Sequence, residues 1–419
     1  MCVGSTVGLG WTSLYRSYYR TTLPLGRSVQ IMVTVVEPAD IRKDRTYLTV
    51  HPEREHGLLL LKMPRVTPYR YGDQLSLTTT PVAPQIINAF DYPKYLERFN
   101  IGATARQATS ISLVGYSPPS RIKANLYALR TYIERQINQY VAEPEASFLS
   151  GLILGSKRAI PQSIQNDLQQ TGTSHITAIS GENISLMLII LLGIIPISSL
   201  RGKWWATFLI AAAISIMTGL SSSVIRGAVM ACVAAYLRMY SRKVWPIPLL
   251  ITSLAGMLAY NPLLLADDPG FQLSFAALTG LFLFGAGVVR FCRHWPLGLL
   301  PEAIRDPLAQ TIAATVTTIP LDFKLFGQFS LLGIIVNPII LWLIFPITII
   351  GIGLVAFSWV PFFPILAALP VWMLLHAVLS VIGWFAHFSS GVVHATISWW
   401  VVGLLYGVLT VVVLAVKNA

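Results

Sequence analysis

A short polar stretch ahead of the first long apolar run holds side chains that could carry acid-base chemistry. It reads TGTSHITAISGENISL and supplies four candidates, His175, Ser180, Glu182 and Asn183. A histidine with a glutamate seven residues later could exchange protons or help to hold a metal ion, but the HExxH spacing of zinc enzymes does not occur. We therefore favour the lining of a wet cavity over a catalytic site, and expect no catalytic residue, metal or cofactor.

The second candidate is a single arginine inside an apolar run. Arg226 lies in the sequence SSSVIRG, where Ser222 and Ser223 add hydroxyl groups. A guanidinium costs roughly 2.5 kcal/mol or more at the centre of a bilayer unless it is paired or hydrated. Two interpretations follow: Arg226 faces a polar cavity, or it reaches the outer headgroups from the end of its span.

Other polar side chains lie near the ends of later apolar runs. The candidates for a polar path there are Asp267, Asp268, Gln272, Ser274 and Asn337. Pore lining and helix packing remain alternative interpretations, because polar side chains also hold membrane helices together, at roughly 0.6 kcal/mol per hydrogen bond.

The front of the chain supplies the residue types that single-stranded nucleic acid requires. The aromatic candidates for base stacking are Tyr47, Tyr69 and Tyr71, and the cationic candidates for phosphate are Lys62, Arg65 and Arg70. Stacking platforms combined with cations are typical of single-strand binders. Such mixtures also arise by chance, so this pattern alone does not establish binding.

The composition indicates that the bilayer is the main solvent of this chain. Hydrophobic residues make up 54% of the 419 residues and charged residues only 11%, against roughly 25% in soluble domains. Thirty Lys and Arg against eighteen Asp and Glu give a net charge of +12, which favours anionic partners such as lipid headgroups or nucleic acid. The three cysteines are far apart and predict neither a disulfide framework nor a metal site.

A small β-domain precedes the membrane region. After an N-terminal segment at 1–24, five β-rich runs broken by Pro, Gly and Asp fall within residues 25–115. They fit a small Greek-key barrel of the OB type, although a sandwich fragment would give a similar pattern. Apolar residues spaced by three or four, with arginines and lysines among them, then predict a basic amphipathic helix at 121–143. It either lies in the headgroup plane or packs on the barrel.

Residues 144–419 are predicted to form a membrane domain of about nine spans. A span needs roughly 20 apolar residues. The predicted spans are 176–199, 204–220, 224–240, 245–265, 271–289, 307–323, 328–357, 365–388 and 395–416. The seventh contains Pro338 and Pro346, and is expected to be tilted, broken or divided in two.

Basic residues fall in alternate loops, and such loops face the cytoplasm. They are Arg201 with Lys203, then Arg238, Arg242 and Lys243, then Arg290, Arg293 and Arg305. The β-domain is then extracytoplasmic, and Lys417 places the C-terminus inside. The fold class is therefore a polytopic α-helical membrane protein with an extracytoplasmic OB-like β-barrel domain at its N-terminus.

Four sequence blocks resemble the ComEC family of DNA-uptake channels, in the family's order. They are LILGSKRAIPQSIQNDLQQTGTSHITAISG at Leu152–Gly181, SSVIRGAVMA at Ser222–Ala231, NPLLLADDPGFQLSFAA at Asn261–Ala277, and FGQFSLLGIIVNP at Phe326–Pro338. Upstream, YGDQLSLTTTPVAPQIINAFDYPKYLERFNIGA resembles the end of the family's OB-like domain. The resemblance extends from about Leu25 to about Gly351.

Two departures limit what the resemblance implies. Glu182 and Asn183 stand where the family usually has a His-Val pair, and no HxHxDH-type site of the metallo-β-lactamase-like domain occurs. We therefore expect no nuclease activity and no enzyme. Many members also carry N-terminal spans, which residues 1–20 do not resemble.

The resemblance implies passage of one DNA strand across the cytoplasmic (inner) membrane during natural transformation. The implied partners are single-stranded DNA, membrane lipid, an extracytoplasmic DNA receptor and a cytoplasmic ATP-driven motor, because no P-loop sequence occurs here. A separate nuclease is a further possible partner. The rival functions are a small-solute transporter, which would predict inverted repeats, an intramembrane enzyme using His175 and Glu182, and a membrane scaffold.

Overall fold

The computed structural model describes most of the chain. It covers residues 10–17, 21–41, 45–64, 68–86, 91–106, 108–156, 160–177, 181–294, 301–388 and 391–418. At positions 182, 294, 303 and 412–418 the description is limited to the backbone. The chain divides into two compact units, one formed by Met1–Tyr132 with Ala255–Asp268 and the other by Ile133–Leu254 with Pro269–Ala419.

The first unit is built around a seven-stranded sheet. Its strands are β1 (Val29–Val35), β2 (Asp40–Ile41), β3 (Arg45–Pro52), β4 (Leu58–Pro64), β5 (Asp73–Thr79), β6 (Ile101–Ala105) and β7 (Ala108–Tyr116). Successive side chains of a strand point to opposite faces, so alternate apolar residues meet in one core. Val33, Leu48, Leu59 and Leu75 are fully buried in that core.

The two strands at the ends of this sheet, β6 and β7, follow each other in the sequence. The order is β6-β4-β3-β1-β5-β7, and β2 pairs with β3 beside this path. β4 and β6 run parallel, whereas the other pairings are antiparallel. Only residues 106–107 separate β6 from β7, the strands at the two ends of the order.

All five predicted β-rich runs form strands, whereas β2 and β6 were not predicted. The sequence of β6 is IGATA, and its Gly and Ala residues are weak strand formers. Gly102 is required there by close packing, because a Cβ on it would lie 2.6 Å from Cβ of Thr21. Tertiary contacts therefore decide this strand rather than local preference.

Three helices begin in the first unit ahead of the main helical region. They are α1 (residues 10–17), α2 (Tyr92–Glu97) and α3 (Arg121–Tyr140). Asp91 caps α2 by accepting a hydrogen bond from the backbone N–H of Lys94 at 3.3 Å. Helix α3 is the predicted amphipathic helix, and the ring of Tyr127 packs edge-on against Tyr71, with 5.1 Å between centroids.

The rest of the chain is mainly helical. The remaining helices are α4 (Glu145–Leu154), α5 (Gln162–Gln170), α6 (Gly181–Ile194), α7 (Leu200–Met217), α8 (Ser222–Met239), α9 (Pro246–Tyr260), α10 (Leu264–Asp267), α11 (Pro269–His294), α12 (Glu302–Phe326), α13 (Gly333–Ala356), α14 (Phe363–Ala386) and α15 (Trp399–Asn418). A 3₁₀ turn at Ser174–Ile176 precedes α6, and short strands β8 (Gln328–Ser330) and β9 (Val392–His394) pair with each other.

Four of the described helices are long and apolar enough to cross a membrane. They are Ser222–Met239, Pro269–Arg293, Gly333–Ala356 and Phe363–Ala386. Each of the nine predicted spans overlaps a helix, but the other five helices do not combine, over their described residues, the length and the apolar composition that a span requires. The helices support a membrane protein, and the count of nine stays a prediction.

The prediction of a broken or divided seventh span is wrong in part. Helix α13 runs without interruption from Gly333 to Ala356 and includes Pro338 and Pro346. Its predicted beginning at residue 328 is instead strand β8. Neighbouring membrane helices often re-satisfy the backbone groups that proline leaves unpaired, which allows a continuous helix here.

Candidate functional site

Arg226 lies where three helices of the second unit meet. It is in the second turn of α8, and only 7% of the residue is exposed. Its Nη1 donates a hydrogen bond to the backbone carbonyl of Ser274 on α11, and its guanidinium carbon lies 5.7 Å from the ring centroid of Phe275. The guanidinium is thus held by a backbone dipole and an aromatic face.

Two glycines allow the start of α6 to approach this arginine. A Cβ on Gly181 would lie 2.6 Å from Nη2 of Arg226. A Cβ on Gly227 would lie 3.0 Å from both Cα and the carbonyl oxygen of Gly181. The backbones of α6 and α8 therefore touch where the guanidinium lies. A side chain at Gly181 would displace the guanidinium, and one at Gly227 would push α6 away.

We predict that Gly181→Ala destabilises the protein by about 1 to 3 kcal/mol, because an added methyl group must push the guanidinium or α8 away. Gly193→Ala on the same helix is the matched control, since its Cβ would meet nothing within 4 Å. Thermal unfolding of the two purified variants tests this. Equal midpoints for both would show that the contact at Gly181 is not tight.

No carboxylate pairs with Arg226 among the side chains that the structure describes. Its Nε has no hydrogen-bond partner there either. Glu182 follows Gly181, but its side chain lies outside the description. A buried guanidinium with an unused donor is costly to maintain, which favours a role in receiving an anion such as a phosphate.

The other polar candidates near α6 differ in their exposure and contacts. His175 lies in the 3₁₀ turn and is exposed, whereas Asn183 is buried and its Nδ2 lies 3.5 Å from the carbonyl oxygen of Leu152. Ser180 lies outside the described residues. Within the described part of the chain, no group of three or more His, Cys, Asp or Glu side chains could hold a metal ion.

Of the candidates on later helices, Ser274 reaches Arg226 through its carbonyl group. Ser222 is buried at the start of α8 and Ser223 is half-buried, while Gln272 lies one turn before Phe275 on α11. Asn337 lies on α13. Its buried Oδ1 has no partner among the described atoms, and Gly333, one turn earlier, packs against the Thr171 carbonyl.

Asp267 and Asp268 have ion-pair partners in this structure, and their predicted place on a pore wall stays a prediction. The Asp268 carboxylate forms an ion pair with Arg98, and both side chains are at least nine-tenths buried. Asp267 lies 3.4 Å from Nη2 of Arg16. The guanidinium of Arg98 also lies 4.2 Å from the ring centroid of Tyr95. These carboxylates are used inside the first unit, because burial of Arg98 requires a counter-charge.

A second candidate site lies on the face of the sheet opposite its core. Tyr47 on β3 and Lys62 on β4 are direct cross-strand partners, and such side chains share a face. The pKa of Lys62 lies below its usual value, first because of partial burial and then because Arg45 and Arg106 are close. The structure thus adds two arginines that sequence reasoning missed.

The loop before β5 does not offer the expected stacking platform. Tyr71 is 6% exposed, and Tyr69 is partly buried against the core of the sheet. Burial also raises the pKa of Tyr71. The ring of Tyr71 already packs on Tyr127, and its stacking on bases stays a prediction. Arg70 is exposed, and Arg65 lies outside the described residues.

The helical region is similar to known proteins. The family model described as "Competence protein" matches residues 152–418. The uncharacterized protein YcaI of Escherichia coli (strain K12) is 27% identical over 237 residues, which are 54% of this chain and 29% of YcaI. This chain therefore matches less than a third of that relative's length. No solved structure matches.

Proposed function

This chain belongs to the competence protein family, and on that premise we propose that it passes single-stranded DNA across the cytoplasmic membrane. Family membership indicates a role in DNA uptake, and the apolar helices indicate a membrane protein. The channel activity, the single-stranded substrate and the inner-membrane location are parts of the proposal.

The buried Arg226 carries this proposal. It lies in the family's matched region, at a junction of three helices, without a carboxylate partner among the described side chains. A DNA strand presents one negative charge per phosphate, so a path through a low-dielectric bilayer needs positive potential along it. Because Arg226 is covered in this structure, passage requires the surrounding helices to part.

The first unit is the proposed receiver of the strand. We interpret its sheet as an OB-like barrel, since β6 and β7 connect the two ends of the strand order. OB domains bind oligonucleotides on the face of their second and third strands. Apart from the two-residue β2, those strands correspond here to β3 and β4, which carry Tyr47 and Lys62.

We predict that Lys62→Gln with Arg106→Gln weakens binding of single-stranded DNA to the full chain in zwitterionic lipid. Each lost phosphate contact should reduce the slope of log affinity against log salt by about 0.7, so the pair should reduce it by about 1.4. Arg27→Gln with Arg54→Gln removes the same charge from exposed positions elsewhere in the unit. Equal slopes for both pairs would exclude this face.

The ion pairs of Asp267 and Asp268 support an extracytoplasmic first unit. The basic-loop pattern assigns the loop between α9 and α11 to the same side as the β-domain. Arg98 and Arg16 hold that loop within the first unit, as this assignment requires. A reporter that is active only in the cytoplasm, inserted after Ser117, should therefore be silent. A strong signal would invert the orientation.

Other proteins are proposed to supply the driving force for DNA movement and to degrade the second strand. The implied partners are an outer DNA receptor, an ATP-driven motor on the cytoplasmic side and a separate nuclease, and this chain itself is proposed to be no enzyme.

Uptake of end-labelled duplex DNA by a deletion strain tests the function. We expect label to bind outside the cell but not to enter the cytoplasm, and plasmid-borne protein to restore entry. Normal entry without the protein would refute the proposal. Loss of a small solute's uptake with normal DNA entry would favour a transporter.

A further inference from the structure

Four cations lie at one end of the hairpin formed by α7 and α8. The loop between these helices has four residues, so the first turn of α7 lies beside the last turn of α8. The ring of Trp204 is 6.1 Å from that of Tyr236, which confirms this pairing. The four cations, all exposed, are Arg201, Lys203, Arg238 and Arg242, and exposed Lys243 follows directly after Arg242. We call the four the hairpin cations.

No described carboxylate pairs with the hairpin cations. Residues 183–266 contain no Asp or Glu at all. None of the four forms a salt bridge with any carboxylate that the structure describes. Arg201 and Lys203 also lie in the first turn of α7, where the helix dipole adds positive potential. The hairpin cations therefore form an exposed positive surface that is open to an anionic ligand.

An exposed apolar surface continues from the hairpin cations along α7. Trp205 is 55% exposed, Phe208 is 44% exposed and Leu209 is 61% exposed. Trp204 and Phe208 stack at 6.0 Å, so part of the aromatic surface is already used within the hairpin. Aromatic rings between cations and aliphatic side chains are typical of the membrane interface. A ligand that covers the whole surface needs an anionic head and an apolar tail.

We propose that the hairpin cations bind the headgroup phosphate of an anionic phospholipid, whose acyl chain lies along Trp205, Phe208 and Leu209. Basic clusters at the ends of membrane helices attract anionic headgroups. A nucleic acid would satisfy the same cations but would leave the neighbouring apolar side chains without a partner. The lipid accounts for both parts of the surface.

The test is a native mass-spectrometry titration of the full purified chain with phosphatidylglycerol and with phosphatidylcholine. Lys203→Gln with Arg238→Gln should weaken binding of phosphatidylglycerol about 30-fold. Each cation near an anionic headgroup raises the affinity by roughly five- to sixfold, and the variant removes two of them. Binding of phosphatidylcholine should be weaker and unchanged. Lys203→Arg with Arg238→Lys keeps both charges and should bind like wild type.

The charge-matched control is Arg27→Gln with Arg54→Gln, which should change phosphatidylglycerol binding by less than about twofold. Two results would overturn the proposal. One is unchanged phosphatidylglycerol binding in the Lys203 and Arg238 double variant. The other is a loss of oligothymidine binding in that variant without any loss of phosphatidylglycerol binding, which would identify a nucleic-acid surface.

Discussion

Replacement of Arg226 by leucine is expected to slow DNA entry into the cytoplasm about 100-fold while the protein stays in the membrane. The variant removes the charge beside the proposed path but keeps an apolar side chain that suits the junction of α6, α8 and α11. If a phosphate loses about 3 kcal/mol of stabilisation there, it should cross about 100-fold more slowly. Uptake of labelled DNA, divided by the amount of inserted protein, measures this.

Arg226→Lys is the matched control, because it keeps the charge but loses the fork that reaches the Ser274 carbonyl. We expect partial uptake from this variant. Normal uptake by Arg226→Leu would refute a role for the charge in transport. If both variants are inserted in normal amounts yet equally inactive, the role of Arg226 is structural rather than electrostatic.

Asp268→Asn is expected to destabilise the first unit by about 3 kcal/mol. The variant leaves the buried guanidinium of Arg98 without its counter-charge. An uncompensated buried charge destabilises a protein more than loss of both partners does. Nε of Arg98 has no partner among the described atoms, so the remaining contacts do not replace the carboxylate. Chemical unfolding followed by a probe in the β-domain measures the loss.

Asp267→Asn is the matched control one residue earlier. Burial raises the pKa of Asp267, with Arg16 opposing this shift, so the carboxylate gains little from being charged. Arg16 is 43% exposed, and such pairs contribute at most about 1 kcal/mol. A pore-lining role would predict the opposite pattern, in which Asp268→Asn folds normally and alters uptake.

Local patterns predicted the regular parts of the fold. The alternation in β1, β3, β4, β5 and β7 is visible because one face of each strand must be apolar. Strand β6 was missed because its small residues carry no such signal, and its pairing with β4 depends on chain segments far apart in sequence. Missing β6 also hid Arg106, which follows it directly.

The site was predicted less completely, because its partners are distant in sequence. Arg226 was identifiable from its apolar surroundings, but its hydrogen bond reaches a carbonyl 48 residues away. Asp268 looked like a free acidic group, although Arg98 pairs with it from 170 positions earlier in the chain. The sequence predicted Tyr71 as a base-stacking residue, but it could not show that Tyr127 of α3 packs against the ring of Tyr71. Gly181, which opens an apolar helix, was an overlooked local signal of close packing, as were Gly102 and Gly227.

Photo-crosslinking of DNA arrested during uptake tests the central claim most directly. A crosslinking amino acid replaces Ser223, one turn before Arg226 and half-buried beside it, and a bulky group on one DNA end arrests the strand in transit. The control position is Trp400, which is 89% exposed on α15. We predict labelled DNA attached at position 223 and none at position 400. Arrested DNA that crosslinks at position 400 or at neither position would contradict a path beside Arg226.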